Sequence, residues 1–221
     1  MSKPAYEPTD RRPIESRDTR WAASITNQLV ARGVSPNEIS IVGMLAAIGA
    51  GVCFFGTNHA EAITQRMLWL AGGLLCQVRL LCNLFDGMVA VQRGIASVRG
   101  ELYNEVPDRV SDSAVMIGLG YAATGAPAWG LFAALVSVFV AYVRAMAKSI
   151  GAPNDFCGPM AKPQRMALTT ALAVYLACSP GIWRIALGEA TLVLIVIAAG
   201  GIATAIRRLR RASRYLAEAA S

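Results

Sequence analysis

The sequence predicts an all-α integral membrane protein that crosses the bilayer six times. Of its 221 residues, 55% are hydrophobic and only 16% are charged, which is too apolar a composition for an ordinary soluble domain. Six apolar stretches approach or exceed the roughly 20 residues that a helix needs to cross the hydrocarbon core of a bilayer. Most of the positive charges lie at the ends of these stretches, as they do in membrane proteins.

The six predicted spans follow one another with short connections and leave no room for a separate soluble domain. They are residues 39–57, 67–91, 103–124, 128–149, 165–180 and 185–206. Turn residues separate several of them, including Ser35-Pro36-Asn37 before the first span and Gly125-Ala126-Pro127 before the fourth. Either Ser35 or Asn37 is suited to cap the first membrane helix.

A further helix is predicted before the first span. Trp21, Ile25 and Leu29 recur at four-residue steps, opposite polar residues that include Arg17 and Arg20. Such an amphipathic helix suits the cytoplasmic interface of a membrane, although a solvated helical linker is the alternative. The chain then divides into four segments: a cytoplasmic tail (1–16), a juxtamembrane amphipathic helix (17–34), the six-span domain (35–207) and a basic cytoplasmic tail (208–221).

The distribution of charge predicts the orientation. The net charge is +7, and the cations cluster before the first span, after the last, and in the loops after the second and fourth spans. The positive-inside rule therefore places both termini and these loops in the cytoplasm, with the protein in the inner membrane. Attraction to anionic lipid headgroups suffices to explain these cations, so no nucleic-acid partner is expected.

Polar residues interrupt the apolar pattern where the second span ends and the third begins. Asn83 and Asp86 share one helical face, and Asn104, Asp108 and Asp112 follow at four-residue steps on the next helix. Two antiparallel helices joined by a short loop are neighbours, so we expect Asn83, Asp86, Asn104 and Asp108 to surround one small volume. Carboxylates held together repel one another unless a cation neutralises them.

Oxygen ligands of this kind suit magnesium, manganese or calcium, and magnesium in proteins usually also holds substrate phosphates. Polar groups near a bilayer are costly and indicate a functional site by default. The residues alone therefore predict a metal site for a phosphorylated ligand at the membrane–cytoplasm boundary.

The spacing resembles the signature of the CDP-alcohol phosphotransferase family, D-x-x-D-G-x-x-A-R-x8-G-x3-D-x3-D. Five of its eight positions match without a gap over 26 residues: Asp86, Gly87, Ala90, Gly100 and Asp108. Asn83 and Asn104 replace two of the acids, and Val91 replaces the arginine. Similarity also extends to Ser35–Ser40, to Ala141–Ala145 and to Lys162 and Arg165, and so covers nearly the whole chain after about residue 17.

The resemblance implies an enzyme of phospholipid synthesis. It would transfer a substituted phosphate, such as phosphatidyl, from a CDP-linked lipid such as CDP-diacylglycerol to an alcohol and release CMP. One or two Mg²⁺ or Mn²⁺ ions would hold the pyrophosphate, and homodimers are usual in the family. Asp108 would be the general base. The implied metal ligands are Asn83, Asp86, Asn104 and Asp108, and the residues that leave room for the cytidine are Gly87, Ala90 and Gly100.

An arginine within the fourth span suggests where an acceptor alcohol binds. A buried arginine in a membrane helix needs an acidic partner or an anionic ligand. Together with Lys162 and Arg165, Arg144 is suited to bind the phosphate of a phosphorylated acceptor. An internal ion pair of Arg144 with Asp108 or Asp112 is the alternative.

The departures from the signature leave a second function open. Two asparagines lower the charge of the ligand set by two, which predicts weaker metal binding and puts a second ion in doubt. Arg93 lies two residues from Val91 and is the candidate to replace the missing arginine. The alternative is that the site lacks this arginine. The alternative function is therefore a non-catalytic membrane protein that binds a lipid or nucleotide at a degenerate metal site.

Overall fold

The regular elements of the computed structural model are all α-helices in the residues that it describes. These are residues 17, 19–94, 98–179 and 186–219, with the backbone alone described at 98–104. The seven helices are α1 (Arg20–Ala31), α2 (Pro36–Gly56), α3 (Ala62–Gln92), α4 (Val98–Gly120), α5 (Pro127–Ser149), α6 (Lys162–Cys178) and α7 (Glu189–Ala219). The all-α prediction is confirmed.

Four of these helices, α2, α3, α5 and α7, are long and apolar enough to cross a membrane. The other two predicted spans correspond to α4 and α6, which pack within the same bundle. The first half of α4 carries the acidic residues of the motif, and α6 has only 17 residues. Four described helices thus meet the length and composition that a membrane span requires. The six predicted spans remain a prediction.

The observed helices extend beyond several predicted limits. Helix α3 begins at Ala62, five residues before the predicted span, and α7 continues to Ala219 through most of the predicted basic tail. Arg208 in this extension is buried and donates hydrogen bonds to the carbonyls of Val140 and Cys157. The start of the predicted basic tail is therefore part of α7, and its Arg208 packs against α5. The predicted start of the last span, residue 185, lies outside the described residues.

Ser35 caps α2, which resolves the choice between Ser35 and Asn37. Its hydroxyl accepts the backbone N–H of Glu38 at 3.2 Å, and the Glu38 carboxylate accepts the Ser35 N–H at 2.7 Å. Pro36 occupies the first helical turn, where its missing N–H costs nothing. This capping box fixes the residue at which α2 begins, and therefore the position of Ser40 along the helix.

Helix α1 lies against the end of α3. Ala22 and Thr26 are buried, Trp21 packs edge-on against Phe85 at 6.0 Å, and Asn27 accepts a hydrogen bond from Gln92. Trp21 remains 46% exposed. A helix thus forms where an amphipathic helix was predicted, while its position in the membrane interface remains a prediction.

Small residues let the backbones of α2 and α4 touch. A Cβ added to Gly51 would lie 2.4 Å from the carbonyl oxygen of Ala114, and one added to Gly118 would lie 2.3 Å from that of Gly51. Membrane helices use such small residues to approach closely, because lipid gives little hydrophobic drive for helix association. This contact holds α4, with its acids, beside α2.

We expect Gly51→Ala to destabilise the bundle by about 1–3 kcal/mol, the usual cost of overpacking. The new methyl group meets backbone, which cannot move away without shifting α4. Gly49→Ala is the matched control, since a Cβ there meets only the side-chain end of Leu75 at 3.3 Å. Unfolding of both variants by SDS in mixed micelles measures the difference, and equal stability of the two would contradict the packing argument.

Candidate functional site

The polar residues of the motif meet where the end of α3 lies beside the beginnings of α4 and α6. Asp108 on α4 accepts hydrogen bonds from two cations, the buried Arg79 and the half-buried Lys162: Arg79 reaches its Oδ1, and Lys162 Nζ lies 2.6 Å from its Oδ2. Lys162 also donates to Oδ1 of Asn83, which lies one helical turn after Arg79. Three helices are thereby joined through four side chains.

Asp86 is held from the other side. Its Oδ2 accepts the hydroxyl of Ser40 on α2 at 2.8 Å, and its Oδ1 accepts the backbone N–H of Gly87 at 2.6 Å. The side chain is buried and interacts electrostatically with Asp108 and Lys162. The inner site thus contains two carboxylates, Asp86 and Asp108, and three cations near Asp108: Arg79, Lys162 and Arg109, whose guanidinium lies 3.7 Å from Asp108 Oδ2.

Each of the three cations predicted to bind the acceptor has its own partner. Arg144 contacts both oxygens of Glu105 at 2.8 Å and lies over the ring of Phe156. Arg165 donates to Asp112 at 2.5 Å and to the carbonyl of Met160.

The alternative pairing of Arg144 with Asp108 or Asp112 is therefore wrong, since its partner is Glu105. Lys162 lies within the predicted metal set, where it contacts Asn83 and Asp108. Arg165 is 2% exposed, which places it behind the other two cations as a support of the helix packing.

The residues predicted to leave room for cytidine lie on the same two helices. Gly87 and Ala90 are half-buried on the last turns of α3, next to Asp86. Gly100 and Asn104 belong to the first turns of α4, in the segment whose side chains lie outside the described part of the structure.

Arg93, the candidate replacement for the missing signature arginine, bonds to backbone carbonyls in the structure. Its guanidinium donates to the carbonyls of Gly33 at 3.3 Å and Val34 at 3.0 Å, so it ties the end of α3 to the connection between α1 and α2. The inner arginine is instead Arg79, which is buried one turn before Asn83. A lone charge inside an apolar span was the sequence signal for Arg79.

The sequence analysis did not predict the partners of two further polar residues, Ser40 and Glu105. Ser40 supports Asp86 from α2, and Glu105 holds Arg144 and also lies 3.4 Å from Arg109. Nothing in the local pattern marks a serine near the start of an apolar helix as a partner for an aspartate 46 residues later.

The described oxygen donors of the inner site lie on Asp86, Asp108 and Asn83. Within the described side chains, no three acidic, histidine or cysteine residues come together in a group that could hold a metal. Asp86 presents a buried carboxylate whose neighbours are a hydroxyl and a backbone N–H, so it retains acceptor capacity for an ion. Both oxygens of Asp108 already accept hydrogen bonds from cations, Arg79 and Lys162.

Comparison with known proteins identifies the family. The family model for CDP-alcohol phosphatidyltransferase matches residues 34–203. Phosphatidylinositol phosphate synthase of Mycobacteroides abscessus is 29% identical over 170 residues, 72% of each chain, and that of Streptomyces avermitilis is 27% identical over 91% of this chain and 81% of its own. Archaetidylinositol phosphate synthase of Pyrococcus horikoshii is 25% identical over 74% and 81%.

The crystal structure of Mycobacterium tuberculosis phosphatidylinositol phosphate synthase (PgsA1) with CDP-DAG bound has the same fold. It superposes with a TM-score of 0.70 over 88% of this chain and 94% of its own, at 23% identity. The family match covers most of the chain, and the curated relatives and the fold agree with it. The chain therefore belongs to the CDP-alcohol phosphatidyltransferase family, and it is a membrane enzyme of phospholipid biosynthesis that transfers a substituted phosphate from a CDP-linked lipid to an alcohol.

Proposed function

We propose that this enzyme transfers the phosphatidyl group of CDP-diacylglycerol to a phosphorylated alcohol, with inositol phosphate as the first candidate. The observation that carries the proposal is Arg144, a cation in an apolar helix whose carboxylate partner, Glu105, is itself partly exposed. The relatives support this acceptor, because they are phosphatidylinositol phosphate synthases and an archaetidylinositol phosphate synthase. Family membership supports transfer over the non-catalytic alternative.

Arg144 would bind the phosphate of the acceptor by exchanging Glu105 for it. A phosphate offers more charge and more acceptor oxygens than a carboxylate, and arginine binds either in the same forked geometry. Phe156 under the guanidinium keeps its plane fixed during the exchange. Lys162 is close enough to Asp108 to serve the same acceptor, and Arg165 would hold the end of α6 in place.

Asp108 would accept the proton of the attacking hydroxyl. In the structure Arg79 and Lys162 hold both of its oxygens, so one of them must turn away or share its oxygen when the acceptor binds. Such an arrangement orients the carboxylate before substrate arrives.

Asp86 would hold a divalent cation, Mg²⁺ or Mn²⁺, with Asn83, Asn104 and Asp108 as the further ligands that the family pattern implies. A divalent ion stabilises the negative charge that develops on a pyrophosphate as it leaves. A second crystal structure of PgsA1, in complex with manganese and citrate, supports divalent metal use in a relative of the same fold. Gly87, Ala90 and Gly100 would leave space for the nucleotide.

We further propose six membrane spans, a homodimer, and an inner-membrane location with both termini and the site in the cytoplasm. The same proposal keeps α1 in the interface and the limits 1–16, 17–34, 35–207 and 208–221 for the segments. The supporting observation is that the site residues lie in the second half of α3, in the first half of α4 and at the first residue of α6. The arginines of α7 follow its apolar part, as the positive-inside rule requires of a cytoplasmic end.

An acceptor screen tests the proposed function. Purified enzyme with labelled CDP-diacylglycerol is offered inositol phosphate, inositol, glycerol phosphate or serine, with lipid product and CMP as readouts. We expect inositol phosphate to be used and its unphosphorylated counterpart to be used poorly. A neutral alcohol as the best acceptor would overturn the proposal, and no CMP release with any alcohol would favour the non-catalytic alternative.

Asp108→Asn should lower turnover by at least about 100-fold, the lower end of what a general base contributes. Asparagine keeps the shape of the side chain but cannot take a proton. CMP release at saturating substrates measures the effect, and Asp155→Asn is the control, because Asp155 pairs with Arg211 outside the inner site. Turnover of purified, folded Asp108→Asn close to that of the unchanged enzyme would remove Asp108 from this role.

Arg144→Ala should raise the KM for a phosphorylated acceptor by about 10-fold or more while leaving the KM for CDP-diacylglycerol nearly unchanged. A lost hydrogen bond to a charged group costs about 1.5–3 kcal/mol. Glu105→Gln is the paired variant and should lower the acceptor KM, because the competing carboxylate is gone. Steady-state kinetics with each substrate varied gives both values, and parallel changes in the two KM values would argue against acceptor binding at Arg144.

A further inference from the structure

The last turns of α7 carry a row of cations that lies outside the site described above. Four exposed arginines at helical spacing share one face of this helix: Arg207, Arg210, Arg211 and Arg214. They come directly after the apolar stretch 191–206 of a helix that is long enough to cross a membrane, and after residue 203, where the match to the family model ends. The arginine row therefore lies at the level where a membrane helix meets the lipid headgroups.

A cavity of about 680 Å³ runs along this face of α7. Its lining consists of the arginine row together with Ala203 and Ile206, which precede the row along the helix. The cavity thus has an apolar end toward the membrane-crossing part of α7 and a cationic end beyond it. A phospholipid has the same division, with acyl chains on one side of a negatively charged phosphate.

The arginine row carries positive charge that the folded chain does not balance. Arginines within the bundle pair with acids of α4. Among the side chains that the structure describes, only Arg211 of the row forms an ion pair, with Asp155 at 3.5 Å, and it stays about half exposed. Guanidinium groups bind phosphate oxygens in a forked geometry. An anion from outside the chain is therefore the natural counter-charge for the row.

We propose that this face of α7 is a discrete binding site for one anionic phospholipid. The arginine row would hold the lipid phosphate, and Ala203 and Ile206 would contact the start of the acyl chains. A water-soluble anion would satisfy the arginines but leave the apolar end of the cavity unused, so the lining favours a lipid. The site is separate from the inner site on α3, α4 and α6, and its occupancy does not depend on the proposed transfer reaction.

Native mass spectrometry of the full chain in detergent, without substrates, tests the proposal. It measures the Kd of phosphatidylglycerol and of phosphatidylcholine with the same acyl chains. We expect phosphatidylglycerol to bind about 10-fold more tightly or better. Each arginine near a membrane surface adds about fivefold in affinity for anionic lipid, so Arg207→Gln/Arg210→Gln should weaken binding by about 25-fold. The control Arg20→Gln/Arg32→Gln removes the same charge from exposed positions at α1 and should leave the Kd nearly unchanged.

Equal weakening by the two variants would mean diffuse attraction to positive charge and would overturn the discrete site. Equal affinity of the unchanged protein for the two lipids would also overturn it, and that comparison needs no variant to fold. Glycerol phosphate that displaces the lipid at comparable concentrations would assign the row to a soluble anion. An oligomer that the α7 variant alone loses would assign this face to a second copy of the chain. Either result would refute the lipid site.

Discussion

The four-residue cluster of Asp108, Arg79, Lys162 and Asn83 is the interaction on which the rest of the site depends. It joins charged side chains of α3, α4 and α6 at one carboxylate, Asp108, and a second ion pair, between Arg165 and Asp112, joins α6 to α4 nearby. Breaking a buried ion pair by removing one partner typically costs about 3–5 kcal/mol, because the other charge is left without a counter-ion. The cluster therefore fixes the relative positions of these three helices at the end of the bundle where the substrates would meet.

The remaining contacts place the helices that carry this cluster. The Ser35–Glu38 capping box sets the start of α2, and the touching backbones of Gly51 and Gly118 set its distance from α4. Ser40 then reaches Asp86, and Arg93 links α3 to the connection before α2. Asp112 with Arg165 and Glu105 with Arg144 extend the polar network along α4. Every acidic side chain described on α4 therefore has a basic partner, which allows so many charges beside an apolar bundle.

This balance separates the chain from the pattern that it resembles. An all-acid signature gathers negative charge and depends on metal ions to offset it. Here asparagines take the place of two of these acids, and Arg79 and Lys162 bond to Asp108. The predicted consequence is weaker binding of a divalent cation than at an all-acid site.

The sequence by itself determined the fold class and the family, and it predicted the residues of the site. Apolar stretches of membrane length predict helices because a backbone in lipid must satisfy its own hydrogen bonds. Helical spacing placed Asn83, Asp86 and Asp108 at one end of two adjacent helices, since an antiparallel pair with a short loop allows little else. These are local rules, and the residues that they concern lie close together in the chain.

Tertiary structure decided which cation faces which acid. Lys162 lies 54 residues from Asp108, and Glu105 lies 39 residues from Arg144. No local pattern tells Lys162 to enter the predicted metal set, or Arg93 to bind the carbonyls of Gly33 and Val34 instead of a phosphate. Partner choice depends on how helices separated by long stretches of chain pack and rotate, and that packing follows from small residues and side-chain volumes across the whole bundle.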